Sequence, residues 1–181
     1  MQIKTERLLL RPFTEADAED LYQYAKDPEI GPAAGWPPHG SVEESRNIIR
    51  LVLSGQESYA ICKKEDGRVI GAIGLSMKGD SRLAEEEDEC ELGYWIGKPF
   101  WGQGLMTEAS EALLRRAFTE LGMRRVWCAY FEGNEKSKRV QEKLGFRHEK
   151  TLREVEVPLL KEVRIEHVSL LSREAWLQKN M

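Results

Sequence analysis

The chain has 181 residues, of which 41% are hydrophobic, and its formal net charge is −4. This length suits one ordinary domain with a sizeable core, and no linker-like change of composition divides it, so we expect a single domain over residues 1–181. Lysine and arginine are scattered without a basic block, which argues against nucleic-acid binding and favours small molecules as partners.

The compartment is indicated by the cysteines and by the start of the chain. Cys62, Cys90 and Cys128 are odd in number, widely spaced and flanked by apolar residues, so we expect buried free thiols in a reducing compartment. No pair has metal-ligand spacing, and no metal is expected. Met1–Lys4 contains no apolar signal region and no run is long enough to cross a bilayer. We therefore expect a cytoplasmic protein without membrane contacts.

Capping residues, turn residues and short apolar runs divide the first half of the chain. The predicted elements are a strand at Ile3–Arg11, a helix from Thr14 to Pro28, a loop at Gly31–Gly40, a helix from Ser41 to Gly55, and two strands at Ser58–Lys63 and Val69–Met77 joined by a hairpin.

The second half continues the alternation of strands and helices. The predicted elements are a strand at Glu89–Ile96, a long helix at Gly102–Leu121, a strand at Val126–Tyr130, a helix at Asn134–Leu144, strands within Phe146–Leu171 and a short helix around Trp176. This order predicts a mixed α/β layer structure.

The most informative segment is Gly102-Gln103-Gly104, which links a strand to the longest helix. The first N–H groups of a helix have no intrahelical acceptor, and the helix dipole adds positive charge there. Glycines allow an anion to approach the backbone. The turn therefore predicts a phosphate site, although a tight structural turn would also explain two glycines. The Rossmann and P-loop fingerprints are both absent.

Flanking motifs narrow this prediction. Gly93–Ile96, Trp101–Gly104 and Thr107–Ala109, at this spacing, resemble the cofactor-binding core of GNAT acyltransferases. The resemblance is closest to the Rim-type branch, which acetylates the N-terminal amines of ribosomal proteins and includes many other amine acetyltransferases. Thr5–Phe13 resembles the opening strand of that branch, and Asn134–Phe146 contains motifs of its second cofactor-side helix. Together these motifs span nearly the whole chain.

The resemblance implies both a fold and a cofactor. The expected fold is α/β (α+β): a central, mixed, mostly antiparallel twisted sheet with a splayed parallel strand pair, flanked by helices. The expected co-substrate is acetyl-CoA. The cofactor contacts that the resemblance implies are Tyr94, Trp95, Ile96, Gly102, Gln103, Gly104, Leu105, Met106, Thr107, Asn134 and Ser137. The family often has Gln or Arg where this chain has Pro99. Asn134 would also serve as a helix cap, and Ser137 as a small exposed residue.

The implied reaction transfers an acetyl group to a primary amine by direct attack on the thioester. A lysine-like amine has a pKa of about 10.4 in water, so the site must remove a proton. Glu91 is the first candidate base, with Glu89 or a water relay as alternatives; Glu91 could equally be a solvated edge carboxylate. A family tyrosine that acts as general acid is replaced here by Val140, which makes Ser137 the substitute. Weaker candidates are Tyr130, His148 and His167.

The acceptor side is less determined. In the family the amine enters near the loop that contains Trp36, and Glu89 with its acidic neighbours could attract a cation, although charge runs are usually only solvated. The acceptor is either a protein N-terminus or a small-molecule amine. A non-catalytic acyl-CoA sensor or interaction module is the alternative function. Family habit also allows a homodimer.

Overall fold

The computed structural model describes all residues from Met1 to Met181. Its strands are β1 (Ile3–Lys4), β2 (Leu8–Arg11), β3 (Ser58–Lys63), β4 (Val69–Met77), β5 (Glu89–Ile96), β6 (Arg125–Phe131), β7 (Arg147–Val157) and β8 (Glu162–Ser172). Its α-helices are α1 (Ala18–Ala25), α2 (Gly31–Ala34), α3 (Val42–Leu51), α4 (Leu105–Thr119), α5 (Glu135–Leu144) and α6 (Arg173–Asn180). None of the helices has the length and hydrophobicity of a membrane-spanning segment.

The eight strands form one sheet in the order β1-β2-β3-β4-β5-β6-β8-β7. The sheet is mostly antiparallel, and β5 and β6 form its parallel pair. The parallel ladder joins Glu89, Cys90 and Glu91 of β5 to Arg125, Val126 and Trp127 of β6, while β5 continues to Ile96 and β6 to Phe131. The predicted mixed, mostly antiparallel sheet with one parallel strand pair is confirmed.

The residues group into two compact units, one of residues 1–74 and 94–112 and one of residues 75–93 and 113–181. In the first unit α1 and α3 pack together through a cluster of small and branched side chains, which are Ala18, Leu21, Ala25 and Ile49. In the second unit the buried side chains include Cys90, Leu92, Leu113, Phe118 and Cys128. All three cysteines are buried and none forms a disulfide, as expected.

Three predicted boundaries are wrong for local reasons. The strand predicted at Ile3–Arg11 is a hairpin, because the Thr5 hydroxyl accepts the Leu8 N–H at 2.9 Å and reverses the chain. The loop predicted at Gly31–Gly40 begins with the short helix α2. The long helix begins at Leu105 rather than Gly102, because Gly102 and Gly104 have φ of 72° and 75°.

The predicted caps are in place. The Ser41 side chain accepts the Glu44 N–H at 3.0 Å at the start of α3. Asn134 accepts the Ser137 N–H at 3.2 Å at the start of α5, and Gly145 ends that helix in the left-handed conformation. These side chains satisfy N–H groups that the helices leave unpaired, so the starts of α3 and α5 follow from local chemistry. The predicted end of α3 at Gly55 is wrong, because the helix ends at Leu51.

Candidate functional site

The glycine turn before α4 exposes unpaired backbone donors. Gly102, Gln103 and Gly104 are exposed, and both glycines have positive φ. The first helical hydrogen bond of α4 runs from the Glu108 N–H to the Gly104 carbonyl, at 3.0 Å. The N–H groups of the three preceding residues lie ahead of this bond at the positive end of the helix dipole. The turn is therefore suited to bind an anion such as a pyrophosphate.

The side chains of the turn itself leave anion binding to the backbone. Leu105 and Met106 are each 6% exposed, so their side chains belong to the core and only their N–H groups can face a ligand. The Gln103 side chain donates to the Pro99 carbonyl at 2.9 Å and holds the turn to the preceding segment. Pro99 thus contributes a carbonyl acceptor that fixes the turn.

A hydrogen-bonded network connects the N-terminal hairpin to α4, and sequence reasoning missed it. One Glu108 carboxylate oxygen accepts from the Thr5 hydroxyl at 2.6 Å and from the Arg7 N–H at 2.7 Å, and the other accepts from the Arg7 guanidinium at 2.7 Å. Thr5, Arg7 and Glu108 all lie in motifs of the family resemblance, which is the only sequence signal that could have suggested the network.

The same guanidinium lies beside the glycine turn. Arg7 Nη1 donates to the Gln103 carbonyl at 3.0 Å, and a Cβ atom placed on Gly104 would lie 3.6 Å from Arg7 Nη2. A cation held by Glu108 therefore stands next to the unpaired N–H groups. Guanidinium groups bind phosphate oxygens well, so the residues present fit a pyrophosphate.

We expect Glu108→Gln to lower the free energy of unfolding by about 1–2 kcal/mol at neutral pH, because it weakens charge-assisted hydrogen bonds. Burial raises the pKa of Glu108, but hydrogen bonds from Thr5 and Arg7 outweigh it and leave the pKa below its ordinary value. A carboxylate with a depressed folded pKa stabilises the fold above its unfolded pKa of about 4.3, and this contribution is lost as the pH falls through the folded value.

Urea unfolding of both proteins at a series of pH values measures the effect. The difference in stability should narrow as the pH drops below about 4. The exposed Glu111→Gln on the same helix is the control and should match the unchanged protein throughout. A pH-independent difference for Glu108→Gln would contradict the network's role.

The end of β5 is anchored through its backbone. The Gly97 N–H donates to the Ile70 carbonyl at 2.8 Å, and the Trp101 indole N–H donates to the Ile96 carbonyl at 3.0 Å. A Cβ atom at Gly71 would collide with the Trp95 carbonyl, so only glycine allows this close approach. The strand residues that the resemblance assigns to the pantetheine arm are thus held rigidly.

An aromatic cluster brings Trp36 to Trp95. Their ring centroids are 5.5 Å apart in an edge-to-face arrangement, and Trp36 also lies 5.1 Å from the His39 ring. His39 is buried and its Nδ1 lies 2.8 Å from the Ser45 hydroxyl. Burial lowers the pKa of His39, so the imidazole is neutral at neutral pH. The contact puts a predicted acceptor-side residue against a predicted cofactor-side residue.

Glu89 is held by donors on several sides. Its carboxylate accepts from the Trp127 indole at 3.1 Å, from Arg125 at 3.2 Å and from the Glu85 N–H at 3.2 Å, and the residue is 3% exposed. Burial raises the pKa of Glu89, but these hydrogen bonds outweigh it and leave the pKa below its ordinary value. Such a carboxylate is a weak base, and the geometry favours a structural role for Glu89.

Glu91 is the more accessible of the two carboxylates. One oxygen accepts from the Ser81 hydroxyl at 2.6 Å, and that hydroxyl in turn accepts the N–H groups of Leu83 and Ala84, each at 2.9 Å. The two N–H groups orient the serine so that its proton points to Glu91. The carboxylate is therefore held in place by one donor and is only half-buried.

The start of α5 contains the two remaining predicted contacts. Asn134 Oδ1 caps the helix by accepting the Ser137 N–H, and the Ser137 hydroxyl accepts from Gln141 at 3.3 Å. Gln141 is 2% exposed, and its Oε1 has no hydrogen-bond partner. Val140, at the family tyrosine position, supplies no titratable group. The cap explains Asn134 structurally, and it leaves the assignment of both residues to the cofactor as a prediction.

The weaker acid candidates form a second cluster in the second unit. The Tyr130 ring lies 5.1 Å from the His167 ring, and Thr151 bridges His167 Nδ1 and His148 Nε2 at 3.1 and 2.9 Å. Burial raises the pKa of Tyr130, so its hydroxyl is protonated at neutral pH. Tyr130 is therefore able to donate a proton.

A comparison with known protein families identifies the family of this chain. The model of the acetyltransferase (GNAT) domain matches residues 7–147. The chain belongs to the GNAT acetyltransferase family. Members of this family use acetyl-CoA and acetylate amines, so this protein is an N-acetyltransferase-family enzyme.

Individual relatives are similar to this chain over most of its length. An uncharacterized N-acetyltransferase p20 of Bacillus licheniformis is 33% identical over 175 residues, which are 94% of this chain and 96% of the relative. The ribosomal-protein-serine acetyltransferase of Escherichia coli strain K12 is 27% identical over 84% of this chain and 86% of its own. The crystal structure of a GNAT acetyltransferase from Bacillus anthracis superposes with a TM-score of 0.83 at 25% identity and covers 96% of this chain and 99% of its own.

Proposed function

We propose that this GNAT enzyme transfers an acetyl group from acetyl-CoA to a primary amine. The observation that carries the proposal is the exposed glycine turn, where unpaired N–H groups of α4 and the Arg7 guanidinium lie side by side. Both are donors for a pyrophosphate, and the guanidinium has more N–H groups than the two it uses for Glu108 and the Gln103 carbonyl. Acetyl-CoA supplies the acetyl group as an activated thioester.

Further contacts with the cofactor come from three places. In our proposal the backbone of Gly102–Thr107 binds the pyrophosphate, and Tyr94, Trp95 and Ile96 pair with the pantetheine arm as a strand would. Asn134 and Ser137 contact the cofactor near its thioester. The rigid anchoring of Ile96 by the Trp101 indole supports the second assignment, since a fixed strand loses little entropy on pairing.

The attacking amine must lose a proton, and Glu91 is our candidate to take it, directly or through a water. The amine nitrogen forms a bond to the acetyl carbon, the carbon–sulfur bond breaks, and the amine proton passes to the carboxylate. Ser81 holds one oxygen of Glu91 and leaves the other for the proton. Glu89 is the weaker candidate because three donors already surround it.

The oxygen and sulfur of the thioester both gain negative charge during this step. A backbone N–H near Trp95 or Ile96 stabilises the oxygen in our proposal. Ser137, or a water that it binds, donates a proton to the sulfur, with Tyr130 as the second candidate. Tyr130 is the second candidate because its hydroxyl is protonated at neutral pH, and Ser137 stays first because burial raises the pKa of Tyr130 and makes it a weaker acid. No metal takes part in the proposed reaction.

The acceptor is a primary amine that approaches the Trp36 side of the site. The Escherichia coli relative is named for acetylating a ribosomal protein, which makes a protein N-terminus one candidate and a small-molecule amine the other. Sequence reasoning also assigned Glu89 to the acceptor. Its three internal hydrogen bonds reduce its capacity for a further ligand, so Trp36 carries that proposal.

An acceptor panel tests the proposal. The protein is incubated with acetyl-CoA and a set of amines and N-terminal peptides, and CoA release is followed with a thiol reagent while calorimetry measures acetyl-CoA affinity. We expect saturable binding and amine-dependent CoA release. Tight binding without release by any amine would instead favour a non-catalytic acyl-CoA sensor.

A further inference from the structure

A buried carboxylate in β8 has no role in the mechanism above. Glu166 pairs with Phe131 of β6 and Leu152 of β7 and is 4% exposed. Its Oε1 accepts from Arg82 Nη2 at 2.8 Å, whereas Oε2 is buried and has no hydrogen-bond partner. An unsatisfied buried carboxylate oxygen is costly, so the atom marks a position where a donor from a ligand would bind favourably.

The nearby arginines leave Glu166 Oε2 without a hydrogen bond. The Arg82 side chain is 57% exposed and contacts only Oε1. Arg164, two residues earlier on the same strand, pairs with Glu162 at 2.6 Å and lies 5.1 Å from the centre of the Phe131 ring. Neither guanidinium donates to Oε2. A second donor can therefore bind Glu166 without displacing its ion pair with Arg82.

Glu166 shares a face of the sheet with Glu91. Glu91 is paired with Trp127, and Glu166 with Phe131, on the two sides of β6. Because side chains alternate along a strand, residues four positions apart on β6 point to the same face, and their paired neighbours do likewise. Glu91 and Glu166 therefore belong to one surface within the second unit.

One short segment contacts both carboxylates. Ser81 donates to Glu91, and its neighbour Arg82 donates to Glu166. Two carboxylates thus face the same pair of residues, each with one oxygen held by that pair. This arrangement leaves one further acceptor oxygen on each carboxylate.

We propose that the acceptor carries a second cationic group and that Glu166 Oε2 binds it. The inference rests on the proposed function, in which Glu91 takes the proton of the reacting amine. The neighbours of the two carboxylates on β6 are four residues apart, which is about 13 Å of strand. The substrate class is a primary amine joined by a flexible chain to an ammonium or guanidinium group, present in a small diamine or in a basic peptide.

Matched acceptors test the charge requirement in the unaltered protein. One arm compares linear α,ω-diamines with monoamines of equal chain length, and the other compares peptides in which a lysine near the N-terminus is replaced by norleucine. We expect the dication to have kcat/KM at least about tenfold higher in one of the arms, as one charged hydrogen bond provides. The arm in which the dication has the higher kcat/KM shows whether the acceptor is a small diamine or a basic peptide. Equal kcat/KM within both pairs overturns the inference.

Two variants assign the preference to one residue. Glu166→Gln keeps the shape and removes the charge, so the dication-to-monocation ratio should fall towards one. Glu156→Gln, at an exposed glutamate of the neighbouring strand β7, should leave the ratio as it is. A ratio that persists in Glu166→Gln contradicts the assignment. Absence of acetylation with every amine would instead contradict the proposed function, and acetylation of all amines without preference would contradict only this inference.

Discussion

Gly104→Asp is expected to raise the Kd for acetyl-CoA at least about 100-fold, which corresponds to roughly 2.7 kcal/mol. A Cβ atom at this position points towards Arg7 Nη2, 3.6 Å away, in the exposed turn before α4. The added carboxylate would pair with the guanidinium that we assign to the pyrophosphate and would repel the phosphate charges. It would also occupy space that the backbone N–H groups need to reach a phosphate oxygen.

Backbone strain must be separated from this electrostatic effect, because φ of 75° at Gly104 disfavours any side chain. Gly67→Asp is the matched control: Gly67 lies in the hairpin between β3 and β4, has φ of 72° and has no atom within 4 Å of a Cβ position. Both variants should lose similar stability in thermal unfolding. Only Gly104→Asp should lose affinity in calorimetry, and retained affinity in the folded variant would contradict the phosphate assignment.

Glu91→Gln is expected to lower kcat about 10²- to 10⁴-fold, the usual contribution of a general base. Glutamine still accepts from the Ser81 hydroxyl and fills the same space, but it cannot take up a proton. Acetyl-CoA affinity should change less than twofold, since the residue serves the amine in our proposal. The defect should also shrink with acceptors of lower pKa, because these are already neutral at the assay pH.

Steady-state kinetics over a series of pH values makes this test specific. The unaltered enzyme should lose activity at low pH because the amine and its base both become protonated. In Glu91→Gln, the loss of activity caused by protonation of Glu91 should be absent. Glu87→Gln provides the control, because Glu87 is an exposed glutamate of the same acidic segment and pairs only with Lys78 at 3.5 Å. A variant with an unchanged pH–rate profile would remove Glu91 as the base.

Much of the fold was predictable because its signals are local. Ser41 and Asn134 cap helices with side chains only three residues from the N–H groups they accept. Gly145 ends α5 because only glycine adopts φ of 95° without cost. The turn with Gly102 and Gly104 belongs to the same class of signal, which is why the turn predicted from the sequence is present in the structure, while its phosphate role stays a prediction.

The wrong boundaries show where local signals compete. The leucine run after Ile3 predicts one strand, but the Thr5 side chain bonds to the Leu8 backbone and makes a hairpin. Nothing in the apolar pattern distinguishes these outcomes, since each places Leu8 and Leu10 in the core. The hydroxyl provides the backbone with an alternative to continued strand pairing, and it also donates to Glu108 of α4, a residue far away in the sequence.

The sequence by itself indicated the family, most of the order of strands and helices, and the glycine turn before α4. Only the tertiary structure brought Arg7 to that turn, across about a hundred residues of chain, and only it separated Glu91 from Glu89 by their partners. It alone revealed Glu166 as a buried carboxylate with one oxygen that has no hydrogen-bond partner. The reason is physical: caps and turns depend on neighbours in the chain, whereas the charge and basicity of a side chain depend on donors and burial that folding brings from distant residues.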